Sequence, residues 1–386
     1  MKTYSIAFLL MLALMALTGC EEGFPDEEMH FGIENKTRPY AVVVEPPEAA
    51  PGDTVLVTLK ARTPDADELD ITWRVAQDFN RGLYETDEVE RNYLELDSPD
   101  PVTDADGFLD QSFNWVVPDD AFLISSALPE ILDDPVMVVL AEELIGPDAG
   151  SPPTKIAVDA WLKALTPDLI EEMGFEERMA TYALADRFAI QVRFRAALRS
   201  DLVVDVTRNL TIRHTGRLEG PNTNHNAEVY SFGVVALEKV DATTDDIDDL
   251  NVAQTWYPFI EGMVRVADQV SIAQHDGWTY YLLVNFYHEQ YTSPFNPDLL
   301  LSELGNSRWY YYRQDNPFSD HQFYATDDGE EAEMWNLGRE ARIMPGGVGS
   351  TFRVVAAVRD ERSEWVMYHA VPGGAVHEGI VVFAAP

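Results

Sequence analysis

The chain is poor in cysteine and in basic residues. It has one cysteine in 386 residues, so it cannot form an intramolecular disulfide, and packing alone must hold its folded part together. Lys and Arg number 27 against 67 Asp and Glu, which gives a formal net charge of −40. A surface with this charge repels nucleic acid and anionic lipid headgroups, so the composition argues against polyanion binding.

Sequence motifs of common catalytic sites are also missing. The chain has no Gly-x-Ser-x-Gly elbow, no His-Glu-x-x-His, no P-loop and no Gly-x-Gly-x-x-Gly before a helix. Carboxylates are so numerous that a pair at acid–base spacing carries no discriminating power. We therefore expect a protein that is not an enzyme and that needs no cofactor.

The composition instead favours a folded protein. Hydrophobic residues make up 46% of the chain, and aromatic residues are frequent, with 18 Phe, 16 Tyr and 8 Trp. Such a sequence can bury enough apolar surface to fold, so disorder is not the default expectation. A chain of 386 residues is too long for one modest core, which predicts two domains or three.

The first twenty residues have the pattern of an export signal. Lys2 precedes an apolar run from Ile6 to Leu17, which is too short to span a bilayer but suits a secretory signal. The segment ends in Leu-Thr-Gly-Cys20, which resembles the lipobox of bacterial lipoproteins. The resemblance implies a signal peptide at residues 1–19, followed by a diacylated Cys20 that anchors the protein to a membrane. An ordinary signal peptide with an incidental cysteine is the alternative.

Residues 20–38 are acidic and contain Gly and Pro, which predicts an extended tether. Glu21 and Glu22 follow the cysteine directly. The absence of Asp next to Cys20 resembles outer-membrane sorting, and the acidic pair resembles surface-export signals of some Gram-negative lineages. These resemblances imply a lipid-anchored protein of the outer membrane, at its periplasmic face or at the cell surface.

Period-two alternation dominates the chain after the tether and predicts short strands. Val55, Val57, Leu59 and Ala61 alternate with the polar residues Thr54, Thr58 and Lys60. After a turn, the same pattern returns at residues 69–75. Short strands with tight polar turns and no helix between them predict an antiparallel β-sandwich. The expected fold class is therefore mainly β.

Two stretches resemble the immunoglobulin-like modules of bacterial surface proteins. Residues 46–61 (PPEAAPGDTVLVTLKA) and 69–75 (LDITWRV) are similar to the first strands of such modules, with Trp73 in the place of the strand-C tryptophan. Val358-Arg-Asp360 and Trp365 resemble the closing hairpin of these domains in large Gram-negative lipoproteins. The resemblance implies two immunoglobulin-like β-sandwich domains.

The expected domain organisation has one boundary in the middle of the chain. Residues 39–215 are predicted to form the first domain, with a helical insertion at about 119–186 in which Thr166 begins a helix. Residues 216–226 are rich in Gly and Asn and predict a linker. The second domain is expected at residues 227–386.

Four aromatic residues are the candidate ligand-binding residues: Trp278, Tyr280, Trp309 and Tyr311. Adjacent aromatic residues on a strand point to opposite faces. Because a sandwich buries one face of each sheet, one aromatic set is expected near solvent or beneath the loop at 291–307. Exposed aromatic side chains beside carboxylates suit a sugar platform or a protein contact. Packing in the core is the alternative.

Five aspartates crowd one predicted loop: Asp241, Asp245, Asp246, Asp248 and Asp249. Neighbouring carboxylates can recruit a cation, so Asp245, Asp246, Asp248 and Asp249 are weak candidates for a calcium site. Their spacing matches no known calcium loop, and general screening of the negative charge by salt is the alternative.

The sequence thus favours a non-enzymatic, lipid-anchored envelope or surface lipoprotein that binds or scaffolds a protein or glycan partner. The alternative is a carbohydrate-binding or carbohydrate-active accessory protein that uses the aromatic cluster at residues 278–312.

Overall fold

The fold is mainly β. The computed structural model describes residues 37–63, 69–76, 93–105, 107–124, 135–199, 203–214, 217–218, 220, 223–287, 290–293, 296–302, 304–313, 321–324, 340–343, 345–361 and 373–386. In these residues, strands form four larger sheets and one small hairpin. The mainly β class predicted from the period-two alternation is confirmed.

The N-terminal half of the chain builds two sheets. Their strands are β1 Arg38–Glu45, β2 Glu48–Ala49, β3 Thr54–Arg62, β4 Asp70–Ala76, β5 Tyr93–Leu96, β6 Val102–Thr103, β7 Phe108–Val116, β8 Ile190–Arg199 and β9 Val203–Ile212. Sheet A has the order β1-β3-β7-β6, and sheet B has the order β2-β9-β8-β4-β5. Neighbouring strands are antiparallel except β2 and β9, which pair in parallel.

Sheets A and B share one hydrophobic core. Val57 and Leu59 of β3 are fully buried, as the alternation of this strand predicts. Trp73 of β4 meets Phe113 of β7 edge-on, with ring centroids 5.0 Å apart. The indole N–H of Trp73 donates to Oε1 of the buried Gln111 at 2.7 Å, so this polar group is satisfied inside the core.

Helices occupy the described chain between β7 and β8: α1 Ala121–Ile124, α2 Pro135–Ile145, α3 Lys155–Ala164, α4 Pro167–Glu172 and α5 Phe175–Arg187. Thr154 and Thr166 begin α3 and α4, and each side-chain oxygen accepts the backbone N–H three residues later. Leu162 and Leu184 belong to the same buried cluster as the two sheets. In this part of the structure, no helix is both long and apolar enough to span a membrane.

The C-terminal half builds two further sheets and the hairpin. Its strands are β10 Val229–Leu237, β11 Gln254–Glu261, β12 Val264–Arg265, β13 Gln269–Ala273, β14 Thr279–Phe286, β15 Gln290–Ser293, β16 Asn296–Ser302, β17 Leu304–Arg313, β18 His321–Tyr324, β19 Glu340–Arg342, β20 Thr351–Glu361 and β21 Gly373–Ala384. Sheet C has the order β12-β11-β10-β14-β19, and sheet D has the order β13-β21-β20-β17-β18. Strands β13 and β21 pair in parallel.

Sheets C and D enclose a second core that is rich in aromatic residues. Phe232 of β10 and Phe259 of β11 lie with ring centroids 4.9 Å apart. Gly379 of β21 lies directly against this pair, because a Cβ added there would come within 2.5–2.6 Å of the Phe259 ring. The absence of a side chain at Gly379 is therefore what lets β21 lie close to β11.

The outer face of sheet D is covered by the N-terminal half. Tyr310 of β17, with Val355 and Ala357 of β20, forms a buried cluster with Tyr40 of β1 and Phe108 of β7. The rings of Tyr40 and Tyr310 lie 4.8 Å apart. We call this contact the junction. Sheet D is thus packed on both faces where the junction lies.

Arg353 of β20 adds charged contacts to the junction. Its guanidinium carbon lies 3.6 Å from the centroid of the Phe108 ring, and the group pairs with Asp104 and with Glu378, the latter at 2.7 Å. Residues 35–386 form one compact unit. The division into two domains with a linker at 216–226 stays a prediction.

His377 of β21 gives this fold a pH dependence. Burial, together with the positive charge of Arg265, lowers the pKa of His377 from 6.5 to about 4. In the unfolded chain the imidazole binds its proton near pH 6.5. Protonation therefore favours unfolding, and we expect the free energy of unfolding to fall as the pH drops from about 6.5 towards 4.

The variant His377→Gln removes this proton-binding group and tests the expectation. Urea unfolding of both proteins at pH 7, 5.5 and 4.5 should show the stability difference moving in favour of the variant as the pH falls. His225→Gln, at an exposed position, is the control for loss of a histidine. A difference between wild type and His377→Gln that stays constant over this range would contradict the prediction.

Candidate functional site

A depression on the outer face of sheet B is the candidate site, and we call it the arginine groove. Its volume is about 80 Å³. Arg74 of β4 and two residues of β8, Arg195 and Arg199, line it. Thr72 and Ala197, which are opposite each other in the β4–β8 register, also line it. These two side chains are short, so they leave space between the arginines.

The arginines share this face because β8 is a half-buried strand. Phe194 and Leu198 point into the core of sheets A and B and are fully buried. Residues at alternate positions point the other way, which brings Arg195 and Arg199 to the outer face. Arg74 is directly opposite Arg195 in the register. Regular pairing of two strands thus places three long cationic side chains around one depression.

Carboxylates balance only part of this positive charge. Asp205 of β9 lies in the lining and accepts from Arg195 at 2.5 Å. Glu95 of β5 pairs with Arg74 at 3.0 Å. Among the residues that the structure describes, Arg199 forms no ion pair. Partly exposed pairs of this kind contribute about 0–1 kcal/mol each, so a bound anion can replace them at little cost.

Arg74, Arg195 and Arg199 were not predicted as site residues from the sequence. The sequence does contain a local indication of a cationic surface. Arg193, Arg195 and Arg199 lie within seven residues of a chain that has only 27 basic residues. The depression itself depends on Thr72, Arg74 and Asp205, which pairing brings next to β8 from other strands.

The predicted aromatic residues lie largely in the core. Trp309 is 2% exposed and Tyr280 is 1% exposed, and both belong to the cluster between sheets C and D. Trp278 is half-buried and stacks on His275, with ring centroids 4.3 Å apart. The side chain of Tyr311 lies outside the described part of the structure. Trp309 and Tyr280 have no face open to solvent, and ligand binding by this cluster stays a prediction.

The acidic loop folds onto the outer face of sheet C. Asp246 accepts from Lys239 at 2.6 Å and from the backbone N–H of Thr243 at 2.8 Å, and the hydrogen bond from Lys239 is the main cause that lowers the pKa of Asp246. The hydroxyl of the buried Tyr281 donates to the carbonyl oxygen of Ala242 at 2.5 Å. These contacts tie the loop to the sheet.

The weak calcium candidates are not gathered into a ligand set. Asp246 is held by Lys239, and Oδ1 of Asp249 accepts from the side chain of Asn251 at 2.7 Å. In the ranges that the structure describes, no three side chains of His, Cys, Asp or Glu form a group that could hold a metal ion. Cys20, the predicted lipidation site, lies outside the described residues, as do the signal peptide and the first residues of the tether.

A second polar cluster, the buried network, lies inside the N-terminal half. Arg213, just after β9, is fully buried and pairs with Glu48 of β2 at 2.5 Å and with Asp186 of α5 at 3.4 Å. The backbone N–H of Asn224 donates to Glu48 at 3.1 Å. Burial by itself would lower the pKa of Arg213, but the two carboxylates outweigh it and raise the pKa.

His214 continues the buried network towards α3. Its Nε2 lies 4.0 Å from Oδ1 of Asp159, and Oδ2 of Asp159 accepts from Lys163 at 2.8 Å. Burial is the main cause that lowers the pKa of His214. These side chains join β2, β9, α3 and α5, and all of them except Lys163 are buried. We therefore interpret the network as a structural link between helices and sheet, and not as a ligand site.

Comparison with known proteins identifies no relative: no family model, no curated protein and no solved structure matches this chain.

Proposed function

We propose that this protein is a lipid-anchored envelope lipoprotein that binds or scaffolds a partner and carries out no catalysis. The arginine groove is the observation that carries the binding part of the proposal. It is a positively lined depression on a rigid sheet, in a chain whose net charge is −40. A cationic site in such a chain is a local feature that the overall composition does not produce.

The anchor is supported by the sequence alone. The apolar run before Leu-Thr-Gly-Cys20 suits export, and the sole cysteine of the chain falls at the end of that run. The acidic residues that follow would hold the folded part away from an anionic membrane surface. The outer membrane is the proposed location, because Glu and not Asp follows Cys20.

The finer fold assignment also belongs to this proposal. Two immunoglobulin-like sandwiches, the first with a helical insertion, would place binding residues on rigid sheet faces. Trp73 at the centre of the A–B core supports the assignment, since the resemblance to surface modules predicts a buried tryptophan there. The packing of α2, α3 and α5 on the same core agrees with helices inserted into one domain.

Glycan binding is the second candidate function. The half-buried Trp278, stacked on His275, and Tyr287, 51% exposed, are described aromatic residues of the predicted cluster that reach the surface. An indole ring at the surface can stack on the apolar face of a sugar. This pair favours a small contact and not the extended platform expected from residues 278–312.

Loss of the lipid should release the protein from membranes. In the variant Cys20→Ser, the thiol that accepts the acyl chains is absent, so we expect the protein to move from the membrane pellet to the soluble fraction. Fractionation with immunoblotting measures this shift, and Ser5→Ala is the control for a change within the signal. Recovery of Cys20→Ser in the membrane pellet would contradict the anchor.

Partner capture tests the binding part of the proposed function. Crosslinking in intact cells, followed by purification of the full chain, should recover a defined partner with wild type. The double variant Arg195→Gln/Arg199→Gln should recover much less of it. Equal recovery with the variant would place the contact elsewhere on the protein.

A further inference from the structure

The arginine groove has the size of a site for one compact group. Its volume of about 80 Å³ is far below the about 300 Å³ at which pockets for organic ligands begin. A single sulfate, phosphate or carboxylate group is of the right scale. The position of Thr72 among the lining residues adds a neutral hydroxyl donor to the guanidinium groups.

The charge of the lining selects an anion. Three guanidinium groups face one carboxylate, that of Asp205, which leaves a formal charge of +2 in the lining. Two carboxylates border the lining without belonging to it: Glu95 pairs with Arg74, and Asp70 lies opposite Arg199 in the β4–β8 register. Guanidinium groups present paired N–H donors that match two oxygens of an oxyanion, which an ammonium group cannot do.

The net charge of the chain does not cancel this local attraction. At an ionic strength of about 0.1 M, the screening length is about 10 Å. Carboxylates further away than this act only weakly on the groove, while the three arginines of the lining are in direct contact with its space. Asp205 pairs with Arg195 and Glu95 pairs with Arg74, so a bound anion would share both of these arginines with a carboxylate, while Arg199 forms no ion pair among the described residues.

We propose that the arginine groove binds one compact oxyanion, through Arg74, Arg195 and Arg199, with Thr72 as a further donor. This inference rests on the proposed function in one respect, because it names the chemical group by which a partner is held. The oxyanion is either free in solution or carried by the partner. Both sources share the same chemistry at the groove.

Calorimetric titration of the detergent-solubilised full chain tests the site. The probes are sodium sulfate, sodium phosphate and sodium acetate, each titrated against a sodium chloride background of matched ionic strength. We expect saturable binding of at least one probe to wild type with a stoichiometry of one. We expect Arg199→Gln to weaken it by about tenfold or more, since charge-assisted hydrogen bonds are lost.

Matched variants separate the site from general charge. Arg178→Gln, on α5 and outside the lining, removes the same charge and should leave the dissociation constant unchanged. Arg199→Lys keeps the charge but loses the fork of donors, so it should bind more weakly than wild type. Arg199 is exposed, and circular dichroism should show that both Arg199 variants stay folded.

The outcomes identify the source of the oxyanion or overturn the site. A lower yield of crosslinked partner when the probe is added before the crosslinker would assign the oxyanion to the partner, and probe binding with an unchanged yield would assign it to a free anion. No saturable binding to wild type, or equal loss of affinity in Arg199→Gln and Arg178→Gln, would overturn the site. These titrations need neither membrane nor partner, so failure of the proposed function would leave their result standing.

Discussion

Replacement of Arg213 by Ala is expected to lower the free energy of unfolding by about 3–5 kcal/mol. The side chain of Arg213 is fully buried between Glu48 and Asp186, whose side chains are 1% and 4% exposed. Removal of the guanidinium leaves two carboxylates close together in a medium of low dielectric constant. Neither can regain water, so the cost comes from the charges that remain and not only from the lost bonds.

Urea unfolding measures this effect, and two further variants identify its cause. Arg199→Ala removes an exposed arginine and should change stability by no more than about 0.5 kcal/mol. The triple variant Glu48→Gln/Asp186→Asn/Arg213→Met removes all three charges together and should recover much of the loss. If the triple variant is as unstable as Arg213→Ala, the loss of stability comes from altered packing and not from unpaired charge.

The second large effect is expected at Trp309, where replacement by Ala should cost about 3–5 kcal/mol. Trp309 is 2% exposed in the core between sheets C and D, with its ring centroid 5.8 Å from that of Phe232. Truncation to Ala removes most of the side chain and leaves a cavity that the two sheets can fill only in part. A Trp309 that served as an exposed sugar platform would give a variant with an unchanged melting temperature.

Trp309→Phe and Trp278→Ala are the matched comparisons in thermal melts. Among the described residues, Nε1 of Trp309 has no hydrogen-bond partner, so Trp309→Phe removes an unsatisfied polar group and should cost far less than Trp309→Ala. Trp278 is only half-buried, so Trp278→Ala should also destabilise less. A larger loss in Trp278→Ala than in Trp309→Ala would contradict the assignment of Trp309 to the core.

Alternation along the chain was sufficient to predict strands such as β3 and β4 and the residues of these strands that face the core. Val57, Leu59 and Trp73 are buried as the period-two pattern indicates, because the two sides of a strand are fixed by local geometry. The same pattern does not say which strands are neighbours. Parallel pairing of β2 with β9 and of β13 with β21 joins segments far apart in sequence, and no local signal specifies it.

The aromatic run of β17 shows why exposure was harder to predict than secondary structure. A sandwich was expected to bury only one face of each sheet. Sheet D is instead covered on both faces, since Trp309 packs towards sheet C and Tyr310 packs into the junction. Adjacent aromatic side chains are therefore both buried, which depends on the packing of the two halves of the chain.

The candidate site was hidden for the same reason. The sequence places Arg195 and Arg199 on one face of a strand, but a depression needs the short side chains of Thr72 and Ala197 opposite each other. That register is a tertiary property. The acidic loop was conspicuous in the sequence as a candidate cation site. In the structure, however, the carboxylate of Asp246 already accepts hydrogen bonds from Lys239 and from the backbone N–H of Thr243.

If the proposed lipid anchor holds the chain at its N-terminus, the position of β1 has a mechanical consequence. Tension applied ahead of Arg38 reaches β1 first, and β1 is paired along its length with β3, from Arg38 opposite Arg62 to Glu45 opposite Leu56. The same strand carries Tyr40, which is buried in the junction against Tyr310. A pulling force must therefore break a strand ladder and a tertiary contact at once, so the first element after the tether is also a mechanical clamp for both halves.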